Sequence, residues 1–504
     1  MGKKIPPHEG PAIFDLNLHR PADIVRLGLL VLVFAGRTAS AEAVQHSYTV
    51  TVDYLMSRLW VEARFASPVD SVIAGSRDAG KFLLDVRSCR DDQQIRMRNQ
   101  RMMLPEHGIS CMNYTVDLAR AAKAHRFSKT LAPENIIVSP SYWMWRPELR
   151  GGTTIRVRFR LPESVRVAVP WKEISDESGP AYLLGESPES AYAPAVFGKF
   201  DYREIEVPGA TLCLSMLTGV EPMDNDEIAR WVRATATDVT LAYGRFPSPS
   251  TQVVVIPVGG NRSNDWSAVP FGRVIRDGGE TIELQVDQSQ PLEVLLTDWT
   301  ATHEFSHLML PYIEPKHRWI AEGFAQYYQN VLLSRSGAYE QLYAWQKIYD
   351  GYERGRQSRP ELSPNEASIG GASGGLMKVY WSGAAIALMA DVQLREQSHG
   401  TESLDDILDR LQACCLPSNR VWSGPELFEQ LDELASTPVF MPLYKRFADT
   451  AGFPDMSGVF DRLGLTVSDG QVHIKRGAEL HAIRDAILAT DDATADWRAQ
   501  LAAN

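Results

Sequence analysis

His303-Glu304-Phe305-Ser306-His307 is the segment whose residue types and spacing best suit chemistry. Imidazoles four positions apart share one face of a helix, so both can reach a single metal ion. The carboxylate of Glu304 then projects beside that metal. There it can take a proton from a water and pass it to a leaving amine. Zinc suits such a set, because it takes nitrogen ligands and lowers the pKa of a coordinated water to about 7. Five residues with two free positions also arise by chance, as a helix with a buried histidine and a solvated His–Glu pair. A third ligand decides between the two readings.

Catalytic zinc needs that third protein ligand and one open position. A histidine six residues past His307 would complete the metzincin pattern, but Ile313 stands there and Leu310 replaces its glycine. A glutamate from the following helix is the other route. Trp319-Ile320-Ala321-Glu322-Gly323-Phe324-Ala325-Gln326-Tyr327-Tyr328 supplies it at Glu322, beyond a breaker segment with Pro311 and Pro315. A helical hairpin brings Glu322 back to His303 and His307, and Gly323 lets two helices approach closely. The expected ligands of one zinc per chain are His303, His307 and Glu322, with Glu304 as general base and then acid. His317 reads as a supporting or solvent-facing histidine.

H-E-F-S-H followed by W-I-A-E-G-F-A-Q-Y-Y resembles the gluzincin zinc metallopeptidases, and among them the M1 and M61 aminopeptidase families. The resemblance spans roughly residues 46–463, with its specific motifs between Thr302 and about Asp406. Val379-Tyr380-Trp381-Ser382-Gly383 is similar to the Y-x-x-G segment of these families, and Ser403-Leu404-Asp405-Asp406 continues the M61 pattern. The resemblance implies that Tyr380 donates its hydroxyl to a developing oxyanion. It also implies a peptide or protein substrate, a β-rich N-terminal domain, a thermolysin-like catalytic domain and a helical C-terminal part. The departures concern three places. Fourteen residues separate His307 from Glu322, fewer than in the M1 pattern, and Gln326 stands where relatives place an aspartate that orients the first histidine. Neither the G-x-M-E-N strand of M1 enzymes nor the G-G-L-E-H-like strand of M61 enzymes is intact. Gly278-Gly279-Glu280 lies in the expected region, which makes Gly279 and Glu280 the candidate binders of a substrate amine. The same residues are good hairpin-turn chemistry. Aminopeptidase and endopeptidase therefore both stay open. So do a non-catalytic binding or scaffold protein of the gluzincin fold and hydrolysis of a non-peptide substrate.

The elements that must position these residues follow from the patterning. Short alternating strands such as Tyr48–Val52 and Thr154–Phe159, punctuated by Pro and Gly, predict an N-terminal antiparallel β domain over 42–222. Ile228, Trp231, Val232, Ala236, Val239 and Tyr243 predict an amphipathic helix, Thr251–Pro257 a buried strand, and 271–276 with 281–286 a hairpin. The catalytic domain then covers 223–335. Helical spacing over 292–309, 318–335, 338–355, 379–397, 403–413, 425–435 and 440–450 predicts a helical domain, 336–490, that completes the site. Residues 491–504 read as a tail or loose terminal helix. The fold class is thus α+β and multidomain.

Composition sets the outer limits. The chain has 504 residues, 44% hydrophobic and 23% charged, which excludes a mostly disordered or collagen-like chain and a polytopic membrane protein. Its net charge of −12 does not suit general nucleic-acid binding, which needs a basic surface. Residues 1–41 read as a signal peptide, with the apolar run Leu27–Ala35 and an A-x-A site at Ala39-Ser40-Ala41. That run is too short to span a bilayer comfortably, so no stable membrane span is expected after cleavage, and the protein is expected to be exported, periplasmic or secreted. Export permits disulfides. Of the five cysteines, Cys89 and Cys111 can pair, adjacent Cys414 and Cys415 are expected not to bridge without strain, and Cys213 reads as a buried thiol. The oligomeric state is not legible.

Overall fold

The computed structural model describes residues 45–503 apart from 99–100, 125–130, 132–133, 150–151, 178, 186–192, 220–223, 260–266, 277 and 371–374. The expected signal peptide, 1–41, lies outside the described residues. Alternation along Gln45–Val52 and Arg58–Val69 buries Tyr48, Val50, Val52, Leu59, Val61 and Ala63 on one face. The two strands pair antiparallel, with Val50 opposite Val61. They sit at the centre of a seven-stranded sheet that runs from Lys172–Asp176 at one edge to Leu83–Ser88 at the other. One pair departs from the expected antiparallel pattern, since Gln45–Val52 runs parallel to Thr154–Arg160. The long excursion between those strands permits the crossover that a parallel pair requires. A disulfide joins Cys89 to Cys111 beside this sheet, as expected.

The N-terminal β region is shorter than the sequence suggests. The hairpin of Asp201–Val207 and Ala210–Met216 belongs to a second, five-stranded sheet. Ala210–Met216 lies parallel to Ser250–Pro257, and the crossover between them is the helix Asn225–Thr240. Ala210–Met216, the helix and Ser250–Pro257 therefore form a βαβ unit, so residues 201–216, expected among the N-terminal strands, pair within the second sheet. Asp224 caps the crossover helix by accepting the N–H groups of Asp226 and Glu227. Ser250–Pro257 also runs parallel to Thr281–Val286, and Phe271–Ile275 pairs antiparallel outside it as the edge strand. From Thr251 to Pro257 every residue is buried, which explains the unbroken apolar run.

Helices cover the inner face of this sheet and continue into the C-terminal part. The longest are Arg318–Arg335, Gln341–Gln357 and Leu376–Gln397, close to their expected spans. A small hairpin, Leu465–Ser468 with Gln471–Ile474, interrupts the otherwise helical region. The last stretch is a docked helix, Asp492–Ala503, and not a tail. Its Arg498 is buried, pairs with the buried Asp238 at 2.6 Å and donates to the Leu296 carbonyl. Cys414 and Cys415 do form a disulfide, contrary to expectation, where the chain turns from helix to extended backbone at Leu416. Cys213 is a free, half-buried thiol. No helix among the described residues is long and apolar enough to cross a membrane.

Candidate metal centre and active site

The expected helix over 292–309 is three elements: Leu292–Thr297, Thr300–Ser306 and a 3-10 turn, His307–Met309. The break is Asp298, which is extended at φ −73° and ψ 134°. Its carboxylate accepts the N–H of Thr300 at 2.8 Å and that of Val269 at 3.2 Å, so it starts the new helix and ties it to the loop before the edge strand. All seven residues of Thr300–Ser306 are buried, and Phe305 packs edge-on against Phe246 with ring centroids 5.7 Å apart. The histidines emerge on one face, at the end of this short helix and the start of the turn.

Three ligand atoms converge there. Glu322 Oε2 lies 3.4 Å from His303 Nε2 and 3.5 Å from His307 Nε2. Donors about 2.0–2.2 Å from a tetrahedral zinc would stand roughly 3.3 Å from one another, so the spacing fits that metal. The donor set of two histidines and a glutamate is also one that catalytic zinc uses. Among the described residues these three form the only such group of potential metal ligands. Burial pushes the Glu322 carboxyl up, but the two imidazoles outweigh it and hold it well below the usual carboxylate range.

Side chains that the sequence did not single out hold this arrangement. Gln329 Oε1 lies 2.9 Å from His303 Nδ1, which leaves Nε2 free for a metal. Gln326 and Gln329 both lie on the Glu322 side of the helix, one and two turns beyond it, and it is Gln329 that meets the His303 ring. The buried Arg276 guanidinium donates to the carbonyls of His307 and Leu310, which clamps the turn carrying the second histidine. Glu304 lies against the edge strand and accepts the N–H of Val274. A Cβ at Gly272 would stand 2.5 Å from Glu304 Cγ and 3.1 Å from its Oε1, so only glycine leaves room for that carboxylate. Burial raises the Glu304 carboxyl above its ordinary range, and His307 and His303 offset this only in part.

Tyr380 reaches the site because two helices touch. A Cβ on Gly383 would lie 2.7 Å from the Gly323 Cα, and the reverse contact is closer still. Gly323 therefore brings the Glu322 helix onto the Tyr380 helix, not onto the short helix of His303 as expected. The Tyr380 ring meets the His303 ring edge-on at 5.9 Å. Burial raises its phenol, and the Glu322 carboxylate adds to the effect, so the hydroxyl stays protonated as a donor. Arg318, one turn before Glu322, places its Nε 3.6 Å from Glu322 Oε1. Trp299 packs edge-on against His303 at 5.8 Å and is partly exposed.

The structure does not bring Glu280 and Gly279 to this centre. Both line a separate cavity of about 1130 Å³ beside Trp171, Tyr182 and Tyr202. Gly279, at φ +127°, packs its Cα side against Pro170 of the N-terminal region, with 2.7 Å left for a Cβ. Glu280 supplies a counter-charge to Arg276 and is raised by burial. Its place near the hairpin turn follows from the turn chemistry already evident in the sequence. His317 is buried, accepts the Gly424 N–H at 3.0 Å and lies 2.8 Å from the Tyr444 hydroxyl, so it supports the loop and takes no part in the ligand group.

The N-terminal β sheets, the mixed sheet with the helices that carry His303, His307 and Glu322, and the helical C-terminal part make up an α+β architecture. A solved structure shares this fold. An aminopeptidase N family protein from Idiomarina loihiensis superposes with a TM-score of 0.62 at 14% identity, over 84% of this chain and 79% of that one. An M1 zinc metallopeptidase from Deinococcus radiodurans gives a TM-score of 0.47 at 14% identity, over 82% of this chain and 94% of that one. No protein-family model and no curated protein matches the sequence.

Proposed function

We propose that the chain is an exported, zinc-dependent metallopeptidase with a thermolysin-like catalytic domain, acting on peptide bonds. The observation that carries this reading is the convergence of His303, His307 and Glu322 at zinc-like spacing with Glu304 beside them. Zinc held by these residues would supply Lewis acidity toward a substrate carbonyl and make a nearby water more acidic. Glu304, raised by burial, is suited to take a proton from the attacking water and return it to the leaving amine. Tyr380 stands ready to donate its hydroxyl to the oxyanion. The Val274 N–H faces Glu304 and not a neighbouring strand, so this edge of Phe271–Ile275 can pair with an extended peptide. The similarity in fold to an aminopeptidase N family protein supports a peptide substrate. Export rests on the pattern of residues 1–41.

A scaffold that keeps its metal for structure is the second reading, favoured by the absence of Glu280 from the centre. Glu304 argues against it, because a structural zinc needs no buried carboxylate beside its ligands. Incubating the zinc-loaded protein with a peptide library, with and without a chelator, tests the choice. Chelator-sensitive cleavage is expected, and an intact library in both samples would favour the scaffold.

A further inference from the structure

We propose that Arg318 is the substrate-recognition residue of this centre and that it binds a carboxylate of the peptide. The inference rests on the peptidase reading and adds a substrate class to it. Glu304 feels His307, His303 and Glu322, while Tyr380 feels Glu322, Arg318 and Glu304. Glu322 is committed to the metal and Glu304 to proton transfer. Glu280, the expected anchor of a substrate α-amino group, opens on another cavity.

Arg318 is the opposite case, a charge whose ion pair with Glu322 makes no hydrogen bond. Its Nε is shielded from solvent and has no hydrogen-bond acceptor, and its ion pair with Glu322 spans 3.6 Å, beyond hydrogen-bonding reach. The rest of the side chain is open, with 36% of its area exposed. A divalent metal would offset the charges of Glu304 and Glu322 and so weaken the hold of Glu322 on the guanidinium. Its planar fork matches a carboxylate, two N–H groups to two oxygens. The first position of the Glu322 helix holds it one turn from the ligand, where its charge acts on the Tyr380 hydroxyl. A carboxylate bound there is either the C-terminal group of the peptide or an Asp or Glu side chain next to the scissile bond.

Paired peptides separate these sources. One pair is acetyl-tetra-alanine as the free acid and as the amide. The other is acetyl-Ala-Ala-Glu-Ala-Ala-amide and its Gln counterpart. With the zinc-loaded protein, the carboxylate member of one pair is expected to have a kcat/KM about tenfold or more above its neutral partner, mainly through KM. The pair that discriminates identifies the source. Arg318→Gln is expected to bring that ratio close to one without loss of zinc, and Arg318→Lys to restore part of it. Calorimetry with zinc-loaded Glu304→Gln, which does not depend on turnover, is expected to show about tenfold weaker binding of the favoured peptide when Arg318→Gln is added. Ratios near one for both pairs in the parent would overturn the proposal. So would an Arg318→Gln variant that loses zinc or slows acid and neutral peptides alike. If the parent cleaves no peptide, the peptidase reading fails, and the calorimetric comparison alone decides for or against carboxylate binding.

Discussion

Gln329 orients His303, and the sequence pointed to position 326 instead. The i,i+7 relation to Glu322 was present in the chain, but which of several polar residues on a long helix faces an imidazole depends on how that helix crosses its neighbour. Outer partners of this kind govern the affinity of a metal site. Gln329→Leu is expected to weaken zinc binding about 10- to 100-fold, measured by competition with a chelator of known affinity. Tyr380→Phe removes the hydroxyl and little else. Its kcat is expected to fall about 10²- to 10³-fold with zinc content unchanged, read in the same peptide assay. The ligands themselves were legible, because H-E-x-x-H and W-x-x-E-G are local patterns whose geometry a helix enforces. Arg276 and Gly272 were not, since each acts on a residue some thirty positions away in sequence.

At the scale of elements, the centre depends on two short-range devices. Asp298 breaks one amphipathic run into separate helices, a break that periodicity alone does not reveal because Leu292, Leu295 and Leu296 continue the apolar stripe. Gly323 and Gly383 then let two long helices touch, and that contact carries Tyr380 to Glu322. The sequence marked both glycines by their motifs but not as partners of each other. Gly383→Ala forces the backbones apart. It is expected to destabilise the fold by about 1–3 kcal/mol in denaturant unfolding and to lower kcat, since Tyr380 and Glu322 separate. The Asp201–Met216 hairpin gives the same lesson in a sheet. Its alternation announced strands, but its membership of the second sheet came only with the parallel pairing to Ser250–Pro257.

The whole molecule is closed by its last helix, which composition made look like a tail. The terminal stretch is polar and Ala-rich, and the buried Arg498, with Trp497 and Leu501 packed against the core, docks it. Burial raises the Asp238 carboxyl to about 7, against the opposing pull of Arg498. A carboxyl raised above its unfolded value contributes stability that is present at low pH and lost as pH rises through about 7. Arg498→Met leaves Asp238 buried without its partner, at an expected cost of about 3–5 kcal/mol when the carboxyl is ionised. Removing Arg498 also removes its downward pull, so the variant's carboxyl takes up its proton above about 7, and unfolding curves should show the cost shrinking as pH falls toward about 7 and levelling off below it. The central claim, that this scaffold holds one hydrolytic zinc served by Glu304, is tested most directly by Glu304→Gln in the otherwise intact, zinc-loaded chain. The account predicts one bound zinc per chain and a loss of peptide hydrolysis of at least about 10²- to 10⁴-fold. A Glu304→Gln protein that cleaves as fast as the parent would contradict it.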